Sequence, residues 1–332
     1  MTMADEVVLY TLGGTISMAG TAGNGVVARL GGAQLAAEVP GLAETGVALR
    51  VEDVDRIPSA DLSFAQLLDL VRGASDAVLA GARGVVVTQG TDTLEESAYL
   101  ADLVWEHEAP LVFTGAMRNP TLAGPDGAAN LLASVTAAAD PAARGLGVLV
   151  AFNDELHAAR RVRKTHATST ATFASPGAGP IGHLEEERVR ILSVPPRRTP
   201  LPIPTASALA GARVGLHTAV LDEQGDELDG VRERYQGLVV AGFGVGHVTS
   251  RLVPALEDLA GRMPVVLTSR AGAGPVLRHT YGAAGAEIDL QTRGLINGGL
   301  MHPYKARVLL RLLLAGGVSG RAQVAAAFAE HG

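Results

Sequence analysis

The chain has 332 residues, a formal net charge of −7, and 47 % hydrophobic but only 4 % aromatic residues. That length suits about two domains with a core built from Ala, Val and Leu, and the acidic balance offers no electrostatic footprint for nucleic acid. The absence of cysteine excludes disulfides and thiol catalysis, and 41 glycines fit an α/β protein rather than a helical bundle.

Met1 to Glu6 carry two acids and no basic residue, so they do not read as a secretory leader. The longest apolar runs, such as Val308 to Ala315 interrupted by Arg311, are too short to span a membrane. A cytoplasmic protein is therefore expected.

In chain order, the apolar run Val7-Val8-Leu9 predicts a strand over 6–11, followed by Leu12-Gly13-Gly14-Thr15-Ile16. A helix is expected over 64–81. Val85-Val86-Val87 predicts a strand over 84–89, leading into Gln89-Gly90-Thr91-Asp92-Thr93-Leu94-Glu95-Glu96. Thr93 and Glu96 read as a capping box for a helix over 94–107. Strands over 110–115 and 147–152 flank a helix over 127–139. Five prolines (Pro195, Pro196, Pro200, Pro202, Pro204) predict a stiff extended linker. Beyond it, strands are expected over 212–218, 236–242 and 264–269, with helices over 249–261 and 303–314.

The alternation implies an α/β fold with a larger N-terminal open βα sheet and a smaller C-terminal α/β domain. The expected boundaries are 1–194 for the N-terminal catalytic domain, 195–210 for the linker and 211–332 for the C-terminal domain.

Several chemistries are excluded by pattern. The glycines after the first strand do not form Gly-x-Gly-x-x-Gly, and there is no phosphate-loop Gly-Lys-Ser/Thr. No Gly-x-Ser-x-Gly elbow occurs. The nine histidines lack metal-ligand spacing, so no metal site is expected.

Two threonine motifs remain, each at a strand end where open α/β sheets keep their ligands. A threonine hydroxyl becomes a nucleophile only when a base takes its proton. The chain writes 25 of its cations as Arg and only Lys164 and Lys305 as Lys. Lysine can serve as a base where arginine cannot. Lys164 is thus a candidate base for Thr91, with Asp92 orienting the pair or binding an ammonium group.

Gly13-Gly14-Thr15-Ile16, Thr88 to Glu96, Thr114-Gly115-Ala116-Met117-Arg118, Lys164-Thr165 and Lys305-Ala306-Arg307 together resemble the bacterial L-asparaginases of the glutaminase-asparaginase family. The similarity runs over roughly residues 6 to 330. It implies hydrolysis of the side-chain amide of free asparagine, no cofactor, and a homotetramer built from close dimers. By the same resemblance Thr15 is the covalent nucleophile, and Thr91, Asp92 and Lys164 are the second threonine, the ammonium-binding acid and the lysine. Ser59 corresponds to the serine that holds the α-carboxylate, and Ala116 to the carbonyl that receives the leaving amide. Glu287, sixteen residues before Pro303, corresponds to a glutamate reaching the site from a neighbouring subunit.

The chain departs from the family pattern at five places. Val26 or its neighbours stand where a tyrosine is usual, Ala60 where a glutamine is, and His247 where an asparagine is. Gln89 replaces a frequent His, and Leu12 a frequent Thr. These departures leave open a weakly catalytic asparagine-binding sensor, or a broader glutaminase-asparaginase.

Overall fold

A computed structural model describes residues 6–19, 27–28, 31–186 and 188–332. By packing the chain forms two units, the first running to Pro200 and the second spanning Leu201–Gly332.

The first unit contains strands β1 (Glu6–Thr11), β2 (Met18–Ala19), β3 (Val27–Ala28), β4 (Ala48–Asp53), β5 (Gly84–Thr88), β6 (Leu111–Thr114), β7 (Val148–Phe152), β8 (Glu155–Ala158), β9 (Arg163–Lys164), β10 (Phe173–Ala174), β11 (Gly182–Glu185) and β12 (Arg188–Ile191). Its helices are α1 (Gly32–Ala37), α2 (Phe64–Leu79), α3 (Leu94–Val104) and α4 (Gly127–Ala139). Eight strands form one sheet in the order β12-β11-β8-β7-β6-β5-β1-β4. Strands β4, β1, β5, β6 and β7 run parallel, whereas β8, β11 and β12 extend the sheet in antiparallel fashion.

Strands β5 and β6 are buried along their whole length, as continuous apolar runs must be when helices cover both faces. Leu35 of α1 and Leu131 and Val135 of α4 pack on the face that carries Val7, Leu9, Val86 and Val112. Ala77 of α2 packs on the other face with Val8.

Topology locates the site. From β1 the chain moves to β4 on one side, then crosses to β5 on the other and proceeds outward through β6 and β7. The direction switches between β1 and β5, and such a switch point opens a crevice at the carboxyl ends of the strands. Thr11 and Thr88 stand in register there, and Thr88 in turn pairs with Thr114 of β6.

The second unit holds α5 (Ala206–Gly211), β13 (Val214–Thr218), α6 (Val231–Arg234), β14 (Gly237–Gly242), α7 (Val253–Ala260), β15 (Val265–Ser269), α8 (Glu287–Thr292), β16 (Ile296–Asn297), α9 (Pro303–Ala315) and α10 (Arg321–His331). Its four strands are all parallel in the order β13-β14-β15-β16, over a core that includes Leu238, Val240, Leu256 and Leu267.

The expected strands and helices are all present, with ends shifted by a few residues; the predicted 94–107 helix stops at Val104. The antiparallel strands β8, β11 and β12 and the edge strand β4 are additions. No helix among the described residues is long and apolar enough to cross a membrane.

Candidate active site

The first motif turns sharply off β1. Leu12 N–H donates to the Thr88 carbonyl at 2.9 Å, and Gly13 and Gly14 follow with φ of 85° and 91°. Only glycine adopts such angles freely. A Cβ on Gly14 would lie 2.4 Å from the Gly90 nitrogen, so the two motifs touch backbone to backbone. Thr15 opens a short 3₁₀ turn to Ser17 and is partly buried. Next to it Ile16 is buried against Gly127, at the start of α4.

The base of this turn is tied down by Asp53 at the end of β4. Its Oδ1 accepts the Thr11 hydroxyl at 2.6 Å and the Gly32 N–H at 2.8 Å. Those two bonds, with help from Arg56, hold the Asp53 carboxyl below the usual carboxylate range against the opposing effect of burial.

The second motif leaves β5 fully packed. Gln89 is buried and donates through Nε2 to Ser97 Oγ at 3.2 Å. Thr91 is also buried, while the Asp92 side chain is 73 % exposed. Lys164 Nζ donates to Thr91 Oγ1 at 2.9 Å and to Asp92 Oδ1 at 2.8 Å. Lys164 belongs to the β9–β10 hairpin, where it pairs with Phe173. Its backbone N–H donates to the buried Glu95 carboxylate in the first turn of α3.

The expected capping box does not form. The Thr93 side chain makes no cap bond to the helix. Its hydroxyl donates instead to the Ser59 carbonyl at 2.8 Å. A tertiary acceptor has taken the group that local sequence assigned to the helix end.

Ser59 is buried at the start of a 3₁₀ turn, with its hydroxyl over Gly90. A Cβ on Gly90 would come within 2.8 Å of Ser59 Oγ. Ala116 is buried beside the second motif, because a Cβ on Gly115 would meet the Gln89 carbonyl at 2.5 Å. The Asp126 carboxylate holds the Ala116 loop by accepting Met117 N–H at 3.0 Å and Arg118 N–H at 2.8 Å. Asn130 Nδ2 donates to the Gly115 carbonyl at 3.0 Å.

Contacts therefore link the segments bearing Thr15, Ser59, Thr91, Asp92, Ala116 and Lys164 within the first unit. Sequence reasoning missed Asp53, Glu95, Asp126 and Asn130, each of which bonds backbone from a distant or folded-back segment that no local motif reveals. Val26 lies outside the described residues. Among the described residues no cluster of three or more His, Asp or Glu could hold a metal.

Glu287 stands in the second unit as the first residue of α8, fully buried. Its Oε1 accepts the N–H of Tyr281 at 2.7 Å and of Thr280 at 3.0 Å, and its Oε2 lies 3.1 Å from His247 Nε2. Burial alone would raise its pKa. The backbone N–H groups of Tyr281, Glu287 and Thr280, joined by His247, outweigh burial and bring it below the ordinary value.

Comparison with known proteins agrees with this architecture. The family model for the asparaginase N-terminal domain matches residues 6–197, and that for the glutaminase/asparaginase C-terminal domain matches residues 213–328. The L-asparaginase of Bacillus licheniformis is 34 % identical over 321 residues, covering 94 % of this chain and 96 % of that protein. A glutaminase-asparaginase of Pseudomonas fluorescens biotype A is 33 % identical over 323 residues, covering 93 % and 86 %. The crystal structure of a probable cytoplasmic L-asparaginase from Campylobacter jejuni superposes with a TM-score of 0.85 at 27 % identity, over 98 % of this chain and 99 % of that one. With both of its halves matched and nearly its whole length aligned, the chain belongs to the glutaminase/asparaginase family of amide hydrolases.

Proposed function

We propose that this chain hydrolyses the side-chain amide of free L-asparagine to L-aspartate and ammonia, with Thr15 as the nucleophile. The observation that carries the reading is the Thr91–Lys164–Asp92 cluster at the carboxyl edge of the β1/β5 switch point. The Gly14–Gly90 contact joins the Thr15 turn to it.

The Thr15 oxygen attacks the amide carbon, its proton passes to the leaving nitrogen, and ammonia departs from an acyl-threonine. Water then cleaves the ester, returning the proton to Thr15 and releasing aspartate. Thr91 and Lys164 relay protons in these steps. Asp92, the exposed member of the cluster, takes the substrate ammonium, and Ser59 takes the α-carboxylate. The Ala116 carbonyl receives the amide N–H. Ammonia release from asparagine, lost in Thr15→Ala, tests the reading. Tight asparagine binding without ammonia release would instead mark a sensor.

A wider substrate range has a specific support, the relative named glutaminase-asparaginase. Ammonia release from glutamine at a rate comparable with asparagine would establish it. Preference for asparagine is expected, since Ala60 supplies no side-chain amide to assist the longer substrate.

The proposal extends to assembly and location. A homotetramer of close dimers, with Glu287 completing a neighbouring subunit's site, is proposed from the family match. Co-assembly of Thr15→Ala with Glu287→Ala would then restore part of the activity. Full activity in Glu287→Ala alone removes that residue from the site. A cytoplasmic location is supported by the name of the Campylobacter relative, and cell fractionation tests it.

A further inference from the structure

Around the first turn of α3, four side chains reach other segments, but only two of them have a part in the reaction as proposed. Thr91 and Asp92 meet the Lys164 ammonium. Thr93 and Glu95 touch neither substrate position, yet each is bonded to backbone of a residue that does.

Thr93 occupies the N-cap of α3, where a threonine hydroxyl ordinarily accepts a helix N–H. It forgoes that bond and donates to the Ser59 carbonyl, 34 residues earlier in the chain. Ser59 lies in a three-residue 3₁₀ turn with no side-chain cap of its own. Its hydroxyl is aimed by the placement of its backbone, and Thr93 supplies a direct tie to that backbone.

Glu95 is a carboxylate only 5 % exposed, and a buried carboxylate is costly unless hydrogen-bonded. One oxygen accepts the backbone N–H of Lys164, 69 residues away. The strand that carries Lys164 has two residues and a two-residue partner, so its own ladder constrains it weakly. Adding the Glu95 bond fixes the lysine backbone to the helix start that directly follows Thr91 and Asp92, the residues its side chain meets.

We propose that the first turn of α3 is a positioning clamp: Thr93 sets Ser59 for substrate binding, and Glu95 sets Lys164 for proton transfer. The inference rests on the roles given to Ser59 and Lys164 above. Both clamp residues are positioning residues, and because they serve different steps their loss separates in steady-state kinetics.

The test measures ammonia release from asparagine by the full-length enzyme in two pairs of variants. Thr93→Val keeps the shape and removes the hydroxyl. It is expected to raise KM roughly tenfold with kcat within about twofold, the signature of lost ground-state binding. Thr93→Ser restores KM. Glu95→Leu is expected to lower kcat roughly a hundredfold with KM within about threefold, as a displaced proton-transfer group does. Glu95→Gln, which keeps an acceptor oxygen, recovers most of kcat. If Glu95→Leu does not fold, Glu95→Asp carries the test with the same expected kcat loss, because it draws the oxygen back by one methylene.

Parallel variants Ser59→Ala and Lys164→Ala separate the two levels of the inference. If they are impaired while Thr93→Val and Glu95→Leu behave as wild type, or lose kcat and KM alike, the clamp is overturned. If Ser59→Ala and Lys164→Ala are themselves fully active, the underlying site reading fails instead.

Discussion

The Lys164 ammonium stands 2.9 Å from the Thr91 hydroxyl oxygen, although 73 residues separate the two in sequence. The same ammonium reaches Asp92 Oδ1 at 2.8 Å. As a stabilising ion pair the second contact contributes little, because the Asp92 side chain is mostly in water. Its consequence is directional: the lysine is held with one donor on the threonine and one on the acid.

Lys164→Arg should therefore be nearly as damaging as Lys164→Ala. A guanidinium keeps the charge but cannot give up its proton to become a base, and its planar fork does not reproduce two bonds from one nitrogen. We expect ammonia release to fall by about 10²–10⁴ in both variants. An arginine variant that retained most of the activity would make Lys164 an electrostatic or packing residue.

Thr15→Ala and Thr91→Ala should each cost several powers of ten in turnover and leave the unfolding transition close to that of wild type. The Thr91 hydroxyl bonds to the Lys164 side chain, whereas the Thr11 hydroxyl ties two strands together through Asp53. Paired denaturation and ammonia assays check both halves of this expectation.

Gly14→Ala should destabilise the first unit by at least ~2 kcal/mol and abolish activity with it. The new methyl group would lie 2.4 Å from the Gly90 nitrogen in a backbone already at φ 91°. Urea unfolding of the purified variant measures the loss. Gly46→Ala is the control: φ is positive there too, at 70°, but nothing lies within 4 Å of the added carbon. It should therefore cost only the conformational part.

Asparagine blocked at its α-amino group should be a poor substrate. An uncharged nitrogen gives up a charge-assisted bond to Asp92, worth roughly 1.5–3 kcal/mol or about 10- to 150-fold in kcat/KM. Comparing N-acetylasparagine with free asparagine reads the effect directly. Efficient deamidation of the blocked compound would contradict the role of Asp92.

Glu287 should make stability depend on acid. Its pKa is lowered in the folded chain, so its contribution is fully present above the unfolded value, about 4.3, and is lost as pH falls through the folded value. Glu287→Gln is expected to be less stable than wild type at pH 7, with the gap narrowing below about pH 4. A gap that stays constant from pH 7 to pH 3 would show that Glu287 does not titrate in this way.

The parallel strands were legible because helices cover both faces and the sequence answers with unbroken runs such as Val85-Val86-Val87. Strand β4 was not, since Ala48-Leu-Arg-Val-Glu-Asp places charges on an edge and carries no such run. The antiparallel strands β11 and β12 are four residues each and similarly charged. At the site, strand-end threonines and a rare lysine could be read locally. Asp126 could not, because its acceptor role is defined by the Met117 and Arg118 backbone folded back onto it. Thr93 was misassigned for the same reason: its true partner, the Ser59 carbonyl, is invisible to any window around residue 93.

The backbone contact between Gly14 and Gly90 bears on how this enzyme could be redesigned. Residues 13–15 and 89–91 are two faces of one joint, with no side chain between them to absorb a change. A library that varies one loop while holding the other fixed will mostly sample collisions. Substrate range is better sought at positions outside the joint, such as the exposed Ala60.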